Sequence, residues 1–151
     1  MADGLIRRLQ SVHNVTVRLS TGVRRRDHIT PTLRQLHGLP VRQRVLFKIA
    51  VLAFQCLAGQ APSYLADDCQ LVSDARPRRL RSSDSLTCAV RCTRNTYGDR
   101  CFAAAGPRVW NSLPAELRQC DSLKQFKRRS KTYFSGYGTT ALCDVWLGSA
   151  V

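Results

Sequence analysis

The sequence predicts a mainly α-helical protein, a small helical domain built around one central buried helix. Apolar residues recur at helical spacing in residues 4–20, and a strongly apolar stretch at 41–57 lies between the helix breakers Pro40 and Gly59. With 151 residues and 44% apolar content, the chain has enough hydrophobic material for one core. We therefore expect a single domain over residues 4–134 and a disordered tail over 135–151.

The first half of the chain predicts three helices. In residues 4–20, Leu5, Leu9, Val12 and Leu19 follow a helical repeat. Thr30-Pro31 begins a short helix, since Thr can cap free N–H groups and Pro suits the first helical turn. The helix at 41–57 is apolar nearly all round beyond Ile49, which is typical of a buried helix. Its predicted buried residues are Val45, Ile49, Leu52, Ala53 and Cys56.

The second half predicts shorter elements. Residues 62–65 open one helical turn, residues 73–85 form a linker or an exposed loop, and the strand-like residues 86–90 favour a short β-hairpin near 79–92. Pro107 suits the first turn of a helix that stops at Pro114. Asp121-Ser122 caps a final helix, whose Lys/Arg cluster lies opposite an apolar face formed by Leu123, Phe126, Tyr133 and Phe134.

The charge balance points to a polyanionic partner. The chain has 24 Lys and Arg against 10 Asp and Glu, a net charge of +14. Two basic runs are local and contain no acid, so they are the candidate contacts to RNA or DNA phosphates: Arg24, Arg25, Arg26 and Lys127, Arg128, Arg129. Such contacts carry no sequence information, so the predicted binding is non-specific. The alternative is an ordinary solvated surface.

Other chemistries find little support in the sequence. Tyr64, Asp67 and Asp68 resemble the Tyr-x-Asp-Asp box that holds magnesium in polymerases, but one residue too many separates Tyr from the Asp pair, and Pro62-Ser63 indicates a helical turn instead. Cys88, Cys92 and Cys101 have a spacing that a zinc site would rarely use, and all three histidines precede residue 40. We expect free thiols, no metal, no cofactor, no catalytic residue and no small-molecule substrate.

The sequence leaves two roles open for Trp110. Trp110, close to Arg108, either stacks on single-stranded bases or belongs to the core.

Asp3, Arg7 and Arg8 interrupt the position where a signal peptide would need apolar residues, and residues 45–59 are too short to cross a bilayer. An intracellular protein, cytoplasmic or nuclear and without membrane contact, is expected.

Beyond these physical patterns, the sequence resembles the C-terminal region of the polyproteins of jockey-like, chicken-repeat-type non-LTR retrotransposons. The resemblance covers residues 4–134, and several blocks carry it in order: LQSV at 9–12, HITPTLRQLH at 28–37, LPVRQRV at 39–45, AGQAPSYL at 58–65, YGDR at 97–100, AAGPRVWNSLP at 104–114, ELR at 116–118 and KTYF at 131–134.

The resemblance implies an accessory region that follows the polymerase thumb of a reverse transcriptase. It implies that the catalytic aspartates and the endonuclease belong upstream, so this chain would be a catalytically inactive remnant that helps to hold RNA or DNA. The alternative is a protein-interaction module whose central helix and Trp110 region dock on a missing polymerase domain or another partner. The chain departs from the family at Gly38, where a Trp is usual, at Ser130, where an apolar residue is usual, and at His13, where a Gln is usual.

Overall fold

Helices make up most of the described chain. A computed structural model describes residues 2–75, 86–92, 98 and 101–136. Its helices are α1 (Ala2–Thr21), α2 (Ile29–Gln35), α3 (Val41–Leu57), α4 (Ser63–Ala66), α5 (Val72–Ala75), α6 (Phe102–Ser112), α7 (Ala115–Arg118) and α8 (Leu123–Gly136). The predicted mainly α fold is confirmed. No helix within the described residues is both long enough and apolar enough to span a membrane.

Two helix starts differ from the predicted ones. Helix α2 begins at Ile29, and its N-cap His28 makes no side-chain capping bond, so Thr30 lies inside the helix instead of capping it. Helix α6 begins at Phe102, which makes Pro107 its sixth residue and not part of its first turn. A proline there leaves the Ala103 carbonyl without its usual partner, but the alanines before Pro107 are strong helix formers and extend the helix toward the N-terminus.

The chain divides into two compact units. The terminal unit comprises Met1–Val45 and Lys131–Val151, and the middle unit comprises Leu46–Ser130. The expected single domain over 4–134 remains a prediction.

An aromatic cluster forms the core of the middle unit. The rings of Phe54 and Phe126 stack with centroids 4.6 Å apart, and the Trp110 ring lies 5.9 Å from Phe126 and 6.3 Å from Phe54. Trp110 is 2% exposed, and its indole N–H donates to the Leu86 carbonyl at 2.7 Å. This residue therefore belongs to the core, where its polar atom is also satisfied.

Helix α3 has the predicted bounds but a different buried face. Ala53 and Cys56 are buried as predicted and Ile49 is half-buried, whereas Val45 is 43% exposed and Leu52 is 39% exposed. For these last two residues the burial prediction is wrong. They are seven positions apart and share one side of the helix, while the fully buried Ala50, Ala53 and the buried Phe54 lie on another. A helix that is apolar nearly all round does not reveal in its sequence which side packs.

The strand-like segment lies extended beside residues 70–72. An isolated antiparallel bridge joins Leu71 and Cys88, with Val72 N–H donating to the Thr87 carbonyl at 2.9 Å and Ala89 N–H donating to the Gln70 carbonyl at 2.8 Å. Within the expected hairpin at 79–92, residues 79–85 lie outside the described residues. The expected tail at 135–151 also lies outside them, except for residues 135 and 136, which end α8.

Candidate nucleic-acid interface

The first basic triplet lies in a connector that is held in a defined turn. Arg24, Arg25 and Arg26 follow the end of α1 and are all exposed. The Arg18 guanidinium donates to the Arg24 carbonyl and, at 2.8 Å, to the Asp27 carbonyl, and Asp27 N–H donates to the Arg24 carbonyl at 3.1 Å. These bonds occupy backbone atoms of the turn and leave the three arginine side chains pointing to solvent.

Gly22 makes this turn possible. Its φ of 70° lies in the left-handed region, and its N–H donates to the Arg18 carbonyl at 2.8 Å, closing the C-terminus of α1. Thr21 is the last residue of α1, and Gly22 follows it as the helix terminator. The role of Arg18 has no sequence signal, because an arginine that reaches carbonyls six and nine residues away looks like any exposed basic residue.

The second basic triplet lies on one helix of the middle unit. Lys127, Arg128 and Arg129 are exposed on α8, on the sides not occupied by the buried Phe126 and Ser130. Consecutive helical residues are about 100° apart, so the triplet spreads over about half of the helix circumference. The exposed Lys124 shares a face with Lys127 and Arg128, because it precedes them by three and four positions. Lys124 is therefore a further candidate for a phosphate contact, which the prediction from the basic triplet did not include.

The structure brings the residues of each triplet together but assigns the triplets to different units. Arg24, Arg25 and Arg26 belong to the terminal unit, and Lys127, Arg128 and Arg129 belong to the middle unit. Within its own unit, each triplet forms a patch of three exposed cationic side chains.

The Asp67-Asp68 pair occupies a helical turn, as its sequence context predicts. Asp67 follows α4 with φ −62° and ψ −22°, and its N–H donates to the Ser63 carbonyl at 3.0 Å. The Asp68 carboxylate lies 3.7 Å from the Arg91 guanidinium. The pair therefore lacks the β-turn setting in which a polymerase presents its metal-binding carboxylates.

Buried cysteines cluster in the middle unit. Cys56, Cys69 and Cys88 are buried free thiols, whereas Cys92 and Cys101 are exposed. Burial raises the pKa of Cys69 to about 12 and that of Cys88 to about 12, from an ordinary 9.0. Among the described residues, no group of three or more Cys, His, Asp or Glu side chains is arranged to hold a metal ion.

The three positions at which the sequence differs from the family that it resembles have distinct surroundings. Ser130 is fully buried, and its hydroxyl donates to the Phe126 carbonyl at 2.6 Å, so this polar residue is satisfied. The His13 Nε2 atom is buried and has no hydrogen-bond partner within the described part of the chain. A Cβ atom on Gly38 would meet the Leu33 side chain at 3.3 Å, so a Trp at that position requires Leu33 to shift.

Comparisons of this chain with protein families, with curated proteins and with solved structures find no match.

Proposed function

We propose that this chain is a remnant of the C-terminal region of a non-LTR retrotransposon reverse transcriptase that binds RNA or DNA without sequence preference. The observation that carries this proposal is the exposure of all six side chains of the two acid-free triplets in a chain of net charge +14. The resemblance blocks in the sequence supply the family. An intracellular location, cytoplasmic or nuclear, goes with this function.

The chemistry of the patches favours phosphate contacts. Arginine guanidinium groups and lysine ammonium groups bind phosphate oxygens, and the position of these oxygens does not depend on the base. Of the two roles considered for Trp110, base stacking and core packing, its burial supports core packing, so it is not a stacking platform. Binding through the triplets alone discriminates little between sequences, and it depends steeply on salt because counterions are released from the phosphates.

The proposed remnant has no polymerase activity of its own. Asp67 lies on a helical turn and Asp68 faces Arg91, which is not how a polymerase holds two magnesium ions. A primer-extension assay with the full chain should give no template-dependent DNA synthesis. Synthesis that Asp67→Ala abolishes would overturn this part of the proposal.

The binding itself is tested with fluorescently labelled 20-nucleotide RNAs of three unrelated sequences. Arg24→Gln/Arg25→Gln/Arg26→Gln and Lys127→Gln/Arg128→Gln/Arg129→Gln should each weaken binding to all three sequences by a similar factor, because a phosphate contact is independent of sequence. The matched control is Arg7→Gln/Arg8→Gln, which removes exposed charge elsewhere in the terminal unit. If the control weakens binding as much as the triplets do, the effect is one of net charge, and the assigned patches are wrong.

A second candidate function is that of a protein-interaction module that docks on the polymerase domain of the parent element or on another partner. The burial of Trp110 removes one of the two surfaces first considered for this module, the other being the central helix. An exposed apolar stripe on α1, formed by Leu5, Leu9, Val12 and Leu19, favours this candidate, because exposed apolar patches often mark sites of protein interaction.

A further inference from the structure

The first basic triplet borders an open groove of the terminal unit. The groove has a volume of about 740 Å³, and residues of α1 and of the connector that follows α1 form its walls. This volume lies in the range of about 300–1,000 Å³ that is usual for sites of small ligands. Its lining includes Asn14, Val15, Arg18, Leu19, Val23 and Arg25.

Apolar side chains form one part of the groove. Val15 and Leu19 are each more than half exposed, and Val23 is half-buried. Since these side chains meet water in the free chain, a flat apolar group that covers them is stabilised by the area that it removes from water. The groove therefore offers a surface to the face of a ring.

A fixed guanidinium group adds a flat surface to these walls. Arg18 Nη1 donates to the Arg24 carbonyl, Nη2 donates to the Asp27 carbonyl at 2.8 Å, and the side chain is half-buried. Two bonds from two different nitrogens hold the guanidinium plane in one orientation before any ligand arrives. Unpaired nucleobases stack on guanidinium planes of this kind.

The groove is positively charged at its connector side. Arg25 lines the groove and is exposed, and no Asp or Glu occurs among the described residues that line it. Arg24 and Arg26, the neighbours of Arg25 in the first basic triplet, are exposed as well. A phosphate at Arg25 is therefore attracted, and the adjacent phosphates of the same strand can reach Arg24 and Arg26.

The Asn14 amide gives the groove a hydrogen-bond donor. Asn14 Oδ1 accepts a bond from Gln10 Nε2 at 2.8 Å, which leaves Asn14 Nδ2 without a partner within the described part of the chain. This amide can donate to an acceptor atom on the edge of a base. Because every base has such an acceptor, the bond adds affinity without selecting one base.

From this combination we infer that the groove holds one unpaired nucleotide of a single-stranded nucleic acid. The base lies against Val15, Leu19 and the Arg18 guanidinium, and the phosphate binds Arg25. The inference rests on the proposed nucleic-acid binding and deepens it, because it adds a preference for single strands. In a duplex the bases are paired and stacked, so a base enters the groove only if it is flipped out of the stack.

Charge alone predicts the opposite preference. A phosphate contact releases about 0.9 counterions from B-DNA but only about 0.7 from a single strand, because the duplex has the higher charge density. A chain that binds through its basic triplets alone should therefore prefer the duplex at low salt. The preference between the two strand forms thus separates base contact in the groove from phosphate contact at the triplets.

The test compares the binding of three labelled 20-nucleotide DNAs to the full chain by fluorescence anisotropy at low salt. They are a single strand, its duplex, and a single strand in which an abasic tetrahydrofuran unit replaces every nucleoside. The abasic strand keeps the phosphates but has no base to offer. The ordinary single strand should bind at least about fivefold more tightly than the abasic strand, since stacking of one base contributes on that scale, and more tightly than the duplex.

The other outcomes separate this inference from the proposed function. Equal binding of the ordinary and the abasic strand, or tighter binding of the duplex, overturns the inference and leaves non-specific binding through the triplets standing. Binding of none of the three DNAs also overturns the inference, and the RNA assay with the triplet variants then decides on the proposed function separately.

Variants that keep the charge locate the site. Val15→Ser/Leu19→Ser removes apolar walls of the groove, so it should weaken binding of the ordinary strand by at least about threefold and leave binding of the abasic strand unchanged. The matched control is Leu5→Ser/Val12→Ser, which replaces the same two residue types at exposed positions of α1 outside the groove and should bind all three DNAs like the natural chain. Equal losses in both double variants would contradict the assignment to the groove.

Photocrosslinking tests the same placement in the natural chain. A single strand that carries 4-thiothymidine should form crosslinks within residues 11–25, where mass spectrometry can locate them. Crosslinks that all lie outside residues 11–25 would overturn the inference, whatever the variants show.

Discussion

The side chain of Asn111 binds both backbone groups of Cys88. The Cys88 N–H donates to Asn111 Oδ1 at 2.8 Å, and Asn111 Nδ2 donates to the Cys88 carbonyl at 2.9 Å. On either side of Cys88, the backbone of Thr87 and Ala89 bonds to residues 70–72. One amide side chain on α6 therefore takes the place of a neighbouring strand and satisfies a buried piece of extended backbone.

Asn111→Ala should destabilise the middle unit. It leaves the N–H and the carbonyl of the buried Cys88 without their partners, at a cost of about 2–4 kcal/mol in the free energy of unfolding. Urea denaturation followed by circular dichroism measures this loss. Ser112→Ala, which removes a hydroxyl that donates to the Val109 carbonyl at 2.7 Å but leaves no extended backbone unpaired, is the control and should change the free energy by less than about 1 kcal/mol. Equal effects of both would show that Asn111 does not hold Cys88.

The thiols should divide into reactive and protected groups. Iodoacetamide at pH 8 should label the exposed Cys92 and Cys101 of the native chain quickly and the buried Cys69 and Cys88 slowly, with mass spectrometry to locate each adduct. Labelling in urea is the control, and there the difference should vanish. Fast native labelling of Cys69 or Cys88 would contradict the burial of this cluster.

The same thiols predict how stability depends on pH. Since burial raises the pKa of Cys69 and of Cys88 from 9.0 to about 12, the unfolded chain loses these protons first. Their contribution is fully present below pH 9 and is lost as the pH rises from 9 toward 12. The Tm of Cys88→Ala should therefore fall less between pH 8 and pH 10.5 than that of the natural chain. An identical fall would show that Cys88 does not titrate this way.

His13→Leu should stabilise the terminal unit. The buried His13 Nε2 has no partner among the described residues, and an apolar side chain of similar size removes the cost of that atom, a gain of about 1–2 kcal/mol. Thermal denaturation measures the change, with His28→Leu at an exposed position as the control. A loss of stability in His13→Leu would mean that the imidazole is hydrogen-bonded in solution.

The sequence predicted best the limits of those helices that a proline or a glycine bounds. Pro40 and Gly59 bound α3, so its limits were predictable from the chain alone. Which side of α3 is buried was not, because Val45 and Leu52 are as apolar as Phe54 and the difference lies in what packs against each. Likewise, the α1 repeat predicted an amphipathic helix but not that its apolar side faces solvent.

Long-range contacts explain the remaining differences. The bond from Trp110 to Leu86 and the pair of bonds from Asn111 to Cys88 span more than twenty residues, and no local pattern encodes them. The basic triplets could be predicted from the sequence, because the charge of Lys and Arg follows from the residue type alone. The turn that contains Arg24, Arg25 and Arg26 could not be predicted, because it depends on hydrogen bonds from the Arg18 guanidinium to the carbonyls of Arg24 and Asp27.

The salt dependence of RNA binding tests the central proposal most directly. A plot of log K against log salt concentration for a 20-nucleotide RNA should be steep and linear for the natural chain, and each triplet changed to Gln should flatten its slope by about 2, since three single-strand phosphate contacts contribute about 0.7 each. Changing Arg24, Arg25, Arg26, Lys127, Arg128 and Arg129 together should flatten it by about 4. A slope that these changes leave intact, or binding that persists at 1 M salt, would contradict the proposal.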